Sequence, residues 1–339
     1  MPFAVTVPYR PRPDLYRLGS IVHGRSEARP LDVDRTLPEA LGAKWARLRA
    51  LSHRCVALAP DLADAAPATW AWVCRSVAAL VDVEEGWRRA RPVAGAAAPA
   101  LLQRIGDEFH ACAAGWAMPA DPARPFRLRA LRPDAVPVLE WIAGRPAAER
   151  PLHALALAVQ EDLAWVEAPA PGTPVRAALL HVCWPSGWDP AQKAGLDFAA
   201  IHRPVADGAA LRAASAALSQ AIVARGPFLR FVWTVSPSGE RSRHPADEAD
   251  EADEAGEAGE AAGAPRSIDD LWFRCERQVT LPVPGPAAGA LFLIRVHVAP
   301  LAEVAGDAVR RGLLVAALDS MSPATLAYKR LDGIAALLR

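Results

Sequence analysis

Residues 179–207 read LLHVCWPSGWDPAQKAGLDFAAIHRPVAD: an apolar, strand-like run, a Trp-Pro-Ser-Gly-Trp corner, a short polar segment, and then Ile201-His202-Arg203-Pro204-Val205. Prolines on both sides fix the backbone and remove amide donors, so His181, Trp184, Trp188 and His202 are expected to be held rigidly. A neutral imidazole in such a place can offer one ring nitrogen to a metal or a haem iron while an acceptor fixes the other. The plainer alternative is a buried histidine satisfied by a carbonyl, and the residues alone favour it.

Outward from this stretch the pattern sorts into strands and helices. Val175 to Trp184 reads as a strand. Gly208 to Arg225 reads as a helix started by Asp207 and stopped by Gly226-Pro227, with Leu211, Ala214, Leu218 and Ile222 inward. Three strands follow, Leu229 to Ser236, Leu271 to Thr280 and Ala290 to Val298, and Ala302 to Leu338 supplies closing helices. Upstream, Met1 to Leu37 is proline-rich and extended, and Pro38 to Leu58, Thr69 to Trp87 and Ala98 to Met118 read as helices. Phe126 to Leu131 reads as a first strand. Leu152, Leu155, Val159, Leu163 and Val166 then form a helical stripe that leaves Glu161 and Asp162 off the apolar face. Two strands, a helical and loop region and three consecutive strands predict a PAS-like α+β core whose antiparallel sheet walls a ligand pocket. The expected organisation is a helical N-terminal region over 1–125, the core over 126–300 and C-terminal helices over 301–339.

Composition is that of a globular chain: 339 residues, 52% hydrophobic and 22% charged, ample for a well-buried core. No apolar run reaches the roughly 18 residues of a membrane span, and the N-terminus lacks the pattern of a signal peptide, so a cytoplasmic protein is expected. The five cysteines, Cys55, Cys74, Cys112, Cys183 and Cys275, contain no C-x-x-C pair. Structural zinc, covalent c-type haem and a plant-type iron–sulfur cluster need closer spacing. Cys183 could be a thiolate ligand in principle, but its apolar flanks favour an inert core thiol. The 38 basic and 38 acidic residues cancel, yet Ala246 to Ala264 holds eight acids and no base. That tract has no hydrophobic period and reads as a disordered acidic insertion within 240–266. The rest of the chain is correspondingly positive, suited to anionic groups or an acidic electron donor; no basic-aromatic motif points to nucleic acid.

The last strands carry charges where strands rarely do. Alternation puts Leu271, Phe273, Cys275, Arg277 and Val279 on one face and Trp272, Arg274, Glu276 and Gln278 on the other. Arg295 and His297 share a face with Leu291 and Leu293. Arginines facing a cavity suit bidentate contact with carboxylates such as haem propionates; the alternative is an arginine–glutamate network on a solvated face. The two readings weigh equally for Arg277, and the network is preferred for Arg295.

VQEDLAWVE (159–167), CWPSGWDPAQKAG (183–195), IHRPV (201–205), RCERQ (274–278), FLIRVHVAPL (292–301) and YKRL (328–331) occur in the order and spacing of one family. By these segments the chain resembles the haem-dependent oxidative N-demethylase alpha-subunit-like proteins, clearly over the C-terminal two thirds and weakly before that. The resemblance implies a PAS-like fold with a non-covalent haem b. It also implies oxidation of a small secondary amine such as dimethylamine with O2, releasing formaldehyde. On it, His202 is the expected axial ligand to the metal, with His181 the second choice. Arg230, Arg274 and Arg277 are expected at the propionates or the oxygen side, and Glu276 and Glu161 in acid–base work or ammonium binding. Two departures stand out: Ala206 where the motif continues with proline, and Val232 where asparagine precedes the tryptophan. They put the amine substrate in question. The chain carries neither a G-x-G-x-x-G fingerprint nor cysteine spacing for a cluster, so electrons are expected from a separate reductase, which the resemblance implies carries flavin and an iron–sulfur centre. A haem- or ligand-binding PAS-like sensor module is the second function class, and no output-domain signature follows Val298 to favour it.

Overall fold

β-Branched and aromatic residues in period-two runs build the centre of the molecule, and the computed structural model describes residues 1–11, 14–90, 100–170, 172–250, 265 and 267–339. In chain order the strands are β1 (Tyr16–Arg17), β2 (Ile21–Val22), β3 (Arg25–Ser26), β4 (Val56–Leu58), β5 (Leu102–Ile105), β6 (Glu108–Ala111), β7 (Trp116–Pro119) and β8 (Arg129–Ala130). They continue with β9 (Asp162–Glu167), β10 (Arg176–His181), β11 (Phe228–Ser236), β12 (Trp272–Pro282) and β13 (Gly289–Pro300). The first helices are α1 (Leu37–Cys55), α2 (Ala66–Ala90), α3 (Val136–Ala143), α4 (Arg150–Ala156), α5 (Phe198–Ile201), α6 (Ala209–Ala213) and α7 (Ser215–Arg225). After α8 (residues 245–250) come α9 (Leu301–Ala305), α10 (Ala308–Asp319), α11 (Pro323–Lys329) and α12 (Ile334–Leu338).

A seven-stranded sheet in the order β1-β11-β12-β13-β9-β10-β4 dominates, and every pairing in it is antiparallel. The expected mixed α+β class with an antiparallel sheet is therefore what forms. Register fixes the two faces. Arg230 lies level with Gln278 and Ile294, Val232 with Glu276 and Val296, and Thr234 with Arg274 and Val298. The opposite face carries Phe231, Arg277 and Arg295 in one row and Trp233, Cys275 and His297 in the next. The alternation read from the sequence thus holds residue for residue on β12.

This second face is the more deeply covered. Leu163, Trp165, Leu179, Leu229, Val279, Leu291 and Leu293 pack into the main core with α1, α2 and α4. Trp233, Phe273 and Cys275 join a second core with the C-terminal helices and Phe3. Trp165 anchors the first by donating its indole N–H to Ser76 on α2 at 2.8 Å. The first face is covered by α7, whose Ile222 and Val223 meet Ala290 and Val166, and by Ile201 and Trp188 against Ala164, Leu180 and Phe292.

Several expected elements differ. Ala98 to Met118, read as a helix, forms the antiparallel meander of β5, β6 and β7 over its described residues. Gly106 and Gly115, at φ +61° and +84°, make turns that a helix does not accept, and the alanines and apolar side chains between them fit both periods. The helical stripe from Leu152 to Val166 is broken: α4 ends at Ala156 and β9 begins at Asp162. The apolar spacing was shared by a short helix and the strand after it. Asp207 does not cap a helix; at φ +55° it turns the chain, and its carboxylate accepts from Ser322 and from Thr325 at 2.8 Å. β1 and β4, from the N-terminal third, supply both edges of the main sheet, so residues 1–125 contribute more than helices. The beginning of the acidic tract is ordered: Asp247 on α8 pairs with Arg47 at 2.7 Å and Arg54 at 2.8 Å. Residues 251–264, where most of the tract lies, fall outside the described residues.

Candidate functional site

Arg274 organises the first face. Its Nε donates to Ser186 Oγ at 2.7 Å, Nη1 to the Arg241 carbonyl at 2.6 Å and Nη2 to the Trp184 carbonyl at 2.8 Å. One buried guanidinium therefore joins the WPSGW corner and the segment after β11 to the middle of the sheet, although burial weighs against its charge. The corner itself is made by Pro185 and by Gly187, whose φ of +79° suits glycine, and is stitched by Arg243 N to Pro185 O at 2.8 Å and Gly187 N to Arg243 O at 2.9 Å. Trp184 N donates to Asp162 Oδ2 at 2.7 Å.

Because Ser186 Oγ accepts from Arg274, its own proton is free to go to Glu276 Oε1, the other close partner of that hydroxyl. Gln278 Nε2 donates to Glu276 Oε2 at 2.7 Å. The carboxyl group of Glu276 is thus fixed at both oxygens, on a buried strand position diagonal to Arg230. Arg230 makes no hydrogen bond or ion pair among the described residues, and its Nε is buried without a partner. Burial depresses its affinity for the proton, and Glu276, Asp14 and Tyr9 partly restore it. A guanidinium in that condition is a strong attractor for an anion.

His202 reaches the same side of the sheet at the end of α5. Asp197 caps α5 by accepting from Ala200 N at 2.8 Å, and the His202 ring stacks on Phe198 with centroids 4.0 Å apart. Its Nδ1 lies 2.8 Å from the Phe198 carbonyl oxygen, which can only accept. The proton therefore sits on Nδ1 and the lone pair on Nε2. Burial holds the imidazole pKa down to about 4, with Arg230 and Lys193 pushing the same way, so the ring is neutral at ordinary pH.

The remaining expected site residues lie elsewhere. Arg277 points to the opposite face, where Nε meets Glu27 at 2.8 Å and its Nη groups meet the carbonyls of Pro30 at 3.1 Å and Arg29 at 2.7 Å. Its donors hold the N-terminal segment to the sheet. Glu161 accepts from Asp32 N at 2.7 Å and is pushed by burial toward its neutral form. His181 is fully buried beside His153, Nε2 to Nδ1 at 3.1 Å, with a pKa far below the ordinary value because of burial and that neighbour. Cys183 is equally buried, and desolvation drives its thiol pKa far up. Of the residues singled out from the sequence, Arg230, Arg274, Glu276 and His202 come together and Arg277, Glu161 and His181 do not.

Two contributors were not singled out. Ser186 was part of the quoted corner, and Pro-Ser-Gly at a turn was the available signal. Lys329 was quoted only within YKRL; it donates to the Trp233 carbonyl at 2.8 Å, lies over the rings of Tyr9 and Trp233, and is held to a pKa of about 8 by burial against the attraction of Glu276. Among the described residues no three His, Cys, Asp or Glu side chains gather as a metal cage, and no helix is long and apolar enough to cross a membrane. A family model described as haem-dependent oxidative N-demethylase, alpha subunit-like, matches residues 135–338, a span that contains all four clustered residues. No curated protein matches the sequence.

Proposed function

Since the chain belongs to the haem-dependent oxidative N-demethylase alpha subunit-like family, we propose that its sheet is PAS-like and that the Arg230–Glu276 face holds a non-covalent haem b. The observation that supports this most directly is the His202 ring, neutral, with Nδ1–H spent on a backbone carbonyl and Nε2 left for iron, the arrangement typical of a metal-ligating histidine. Arg230 fits as the partner of a propionate, because its guanidinium otherwise lacks an acceptor.

When bound, haem supplies the activation of O2 that oxidative loss of an N-methyl group as formaldehyde requires. The chain's own part is to bind and orient. Glu276, held by Ser186 and Gln278, presents a fixed acceptor to the N–H of a small secondary amine such as dimethylamine, and Arg274 keeps Ser186 in place. Reducing equivalents come from a separate flavin and iron–sulfur reductase, in keeping with the alpha-subunit character of the family and the absence of a dinucleotide fingerprint from the sequence.

The test is the visible spectrum of haem-loaded protein. His202→Ala should abolish or strongly shift the Soret band, while His181→Ala, in the core behind the sheet, leaves it nearly intact. An unchanged spectrum in His202→Ala removes the basis of the assignment.

A further inference from the structure

β13 loses its neighbour β9 after Ile294, which pairs with Asp162, and the strand continues alone on that side to Pro300. Arg295 to Ala299 form one wall of a cleft of about 380 Å³, closed by Asp34 to Thr36, Arg241 and Met1. The cleft lies at the edge of β13 that β9 has left, level with Glu276 and Arg274 through Val296 and Val298, whereas Arg230 is level with Ile294.

The lining is cationic. Arg35, Arg241 and Arg295 face a single lining carboxylate, Asp34, and the His297 ring beside them is held toward its neutral form by burial. Asp34 is already engaged by Arg295 Nη2 at 3.0 Å, by Gln160 and by Thr36, and those bonds hold it ionised against the desolvation that opposes it. His297 lies 3.1 Å from Asp32. The guanidinium groups of Arg35 and Arg241 have no hydrogen bond or ion pair among the described residues. Arg295 is 4% exposed, yet its Nε is buried with no acceptor. The cleft also lies at the start of α1, whose N-cap Thr36 makes no side-chain cap bond, so the positive end of that helix adds to the field.

We propose that this cleft is a second ligand site, which binds a small oxyanion with at least two anionic oxygens, a phosphate monoester or a short dicarboxylate. Arg35 and Arg241 clamp it from the two walls, and the buried Arg295 guanidinium adds its positive field to the site. The volume suits a small metabolite and is too polar for an apolar one. Carboxylate and phosphate share the chemistry that two guanidinium groups recognise.

Calorimetric titration of the full chain with inorganic phosphate and, separately, malonate at constant ionic strength tests the assignment. One saturable site is expected for at least one anion, and the tighter of the two identifies the source. Arg35→Gln combined with Arg241→Gln should weaken it by about tenfold or more, the scale of one lost charge-assisted bond. Arg35→Gln alone, at an exposed position that leaves the fold untouched, should weaken it measurably. His202→Ala should bind the anion as the native chain does, which separates this site from the haem assignment. No saturable binding of either anion, unchanged affinity in both arginine variants, or loss of anion binding on haem loading would overturn the proposal.

Discussion

Replacing Arg274 by methionine keeps most of the side-chain volume and removes every donor, so the cost can be worked from the contacts. Three short bonds from a charged group are lost, to Ser186, Arg241 and Trp184. At the low end of about 1.5 kcal/mol each they sum to roughly 4–5 kcal/mol. Relief from burying a cation offsets part of this, leaving about 3 kcal/mol. With a urea slope of about 2–3 kcal/mol per molar, the unfolding midpoint should fall by roughly 1–1.5 M. Arg274→Lys should recover less than half of the loss, because a compact ammonium cannot span three separated acceptors. Hydrogen exchange at Gly187 and Arg243, whose amides stitch the corner, should rise in both variants. A midpoint within about 0.3 M of the native chain, with exchange unchanged, would show that the corner holds itself and that Arg274 only fills space.

Two further outcomes follow from burial. Lys329 has a folded pKa of about 8, below its ordinary value of 10.5, so between those two pH values the unfolded chain still holds a proton that the folded chain has shed. The stability of the native chain should therefore rise with pH across that window relative to Lys329→Met, and equal slopes in urea titrations from pH 8 to 10.5 would refute the assignment. Gly289→Ala places a Cβ against the Trp72 indole, which is itself held by Glu167 at 3.2 Å, so the variant should lose about 1–3 kcal/mol by overpacking, measured as a lower thermal midpoint.

What the sequence disclosed follows the range of the interactions involved. Alternation on β12 and β13 was legible because each strand is long and its two faces differ in chemistry, which is why Arg274 and Glu276 were placed together and apart from Arg277. The meander at β5 to β7 was not legible: alanine-rich segments with apolar residues at mixed spacing satisfy either period, and only the glycine turns decide. β4 was absorbed into the preceding helical pattern because three residues are too few to set a period, and its pairing partner β10 lies more than a hundred residues away. The fate of each charge was hidden for the same reason. Nothing near Arg277 in sequence reveals that Glu27, Arg29 and Pro30 will close over it.

That closure explains why the two faces of one sheet carry such different chemistry. On the Arg277 face the buried basic side chains are engaged by the N-terminal segment: Arg277 with Glu27, Arg295 through Nη2 with Asp34, and the His297 ring, held toward its neutral form by burial, beside Asp32. Three long-range pairs at sequence separations above two hundred residues tie that segment down, and the part of the face around Arg277 is spent on holding the fold. On the other face Arg274 is met by neutral oxygens, Glu276 by a serine and an amide, and Arg230 by nothing among the described residues. A guanidinium that Glu276 and Asp14 stabilise only through space, with no acceptor bonded to it, costs the folded chain free energy that a purely structural sheet would have avoided by substitution. This imbalance, beside the histidine whose Nδ1 is spent on a backbone carbonyl, supports the proposal that the face receives a ligand after folding.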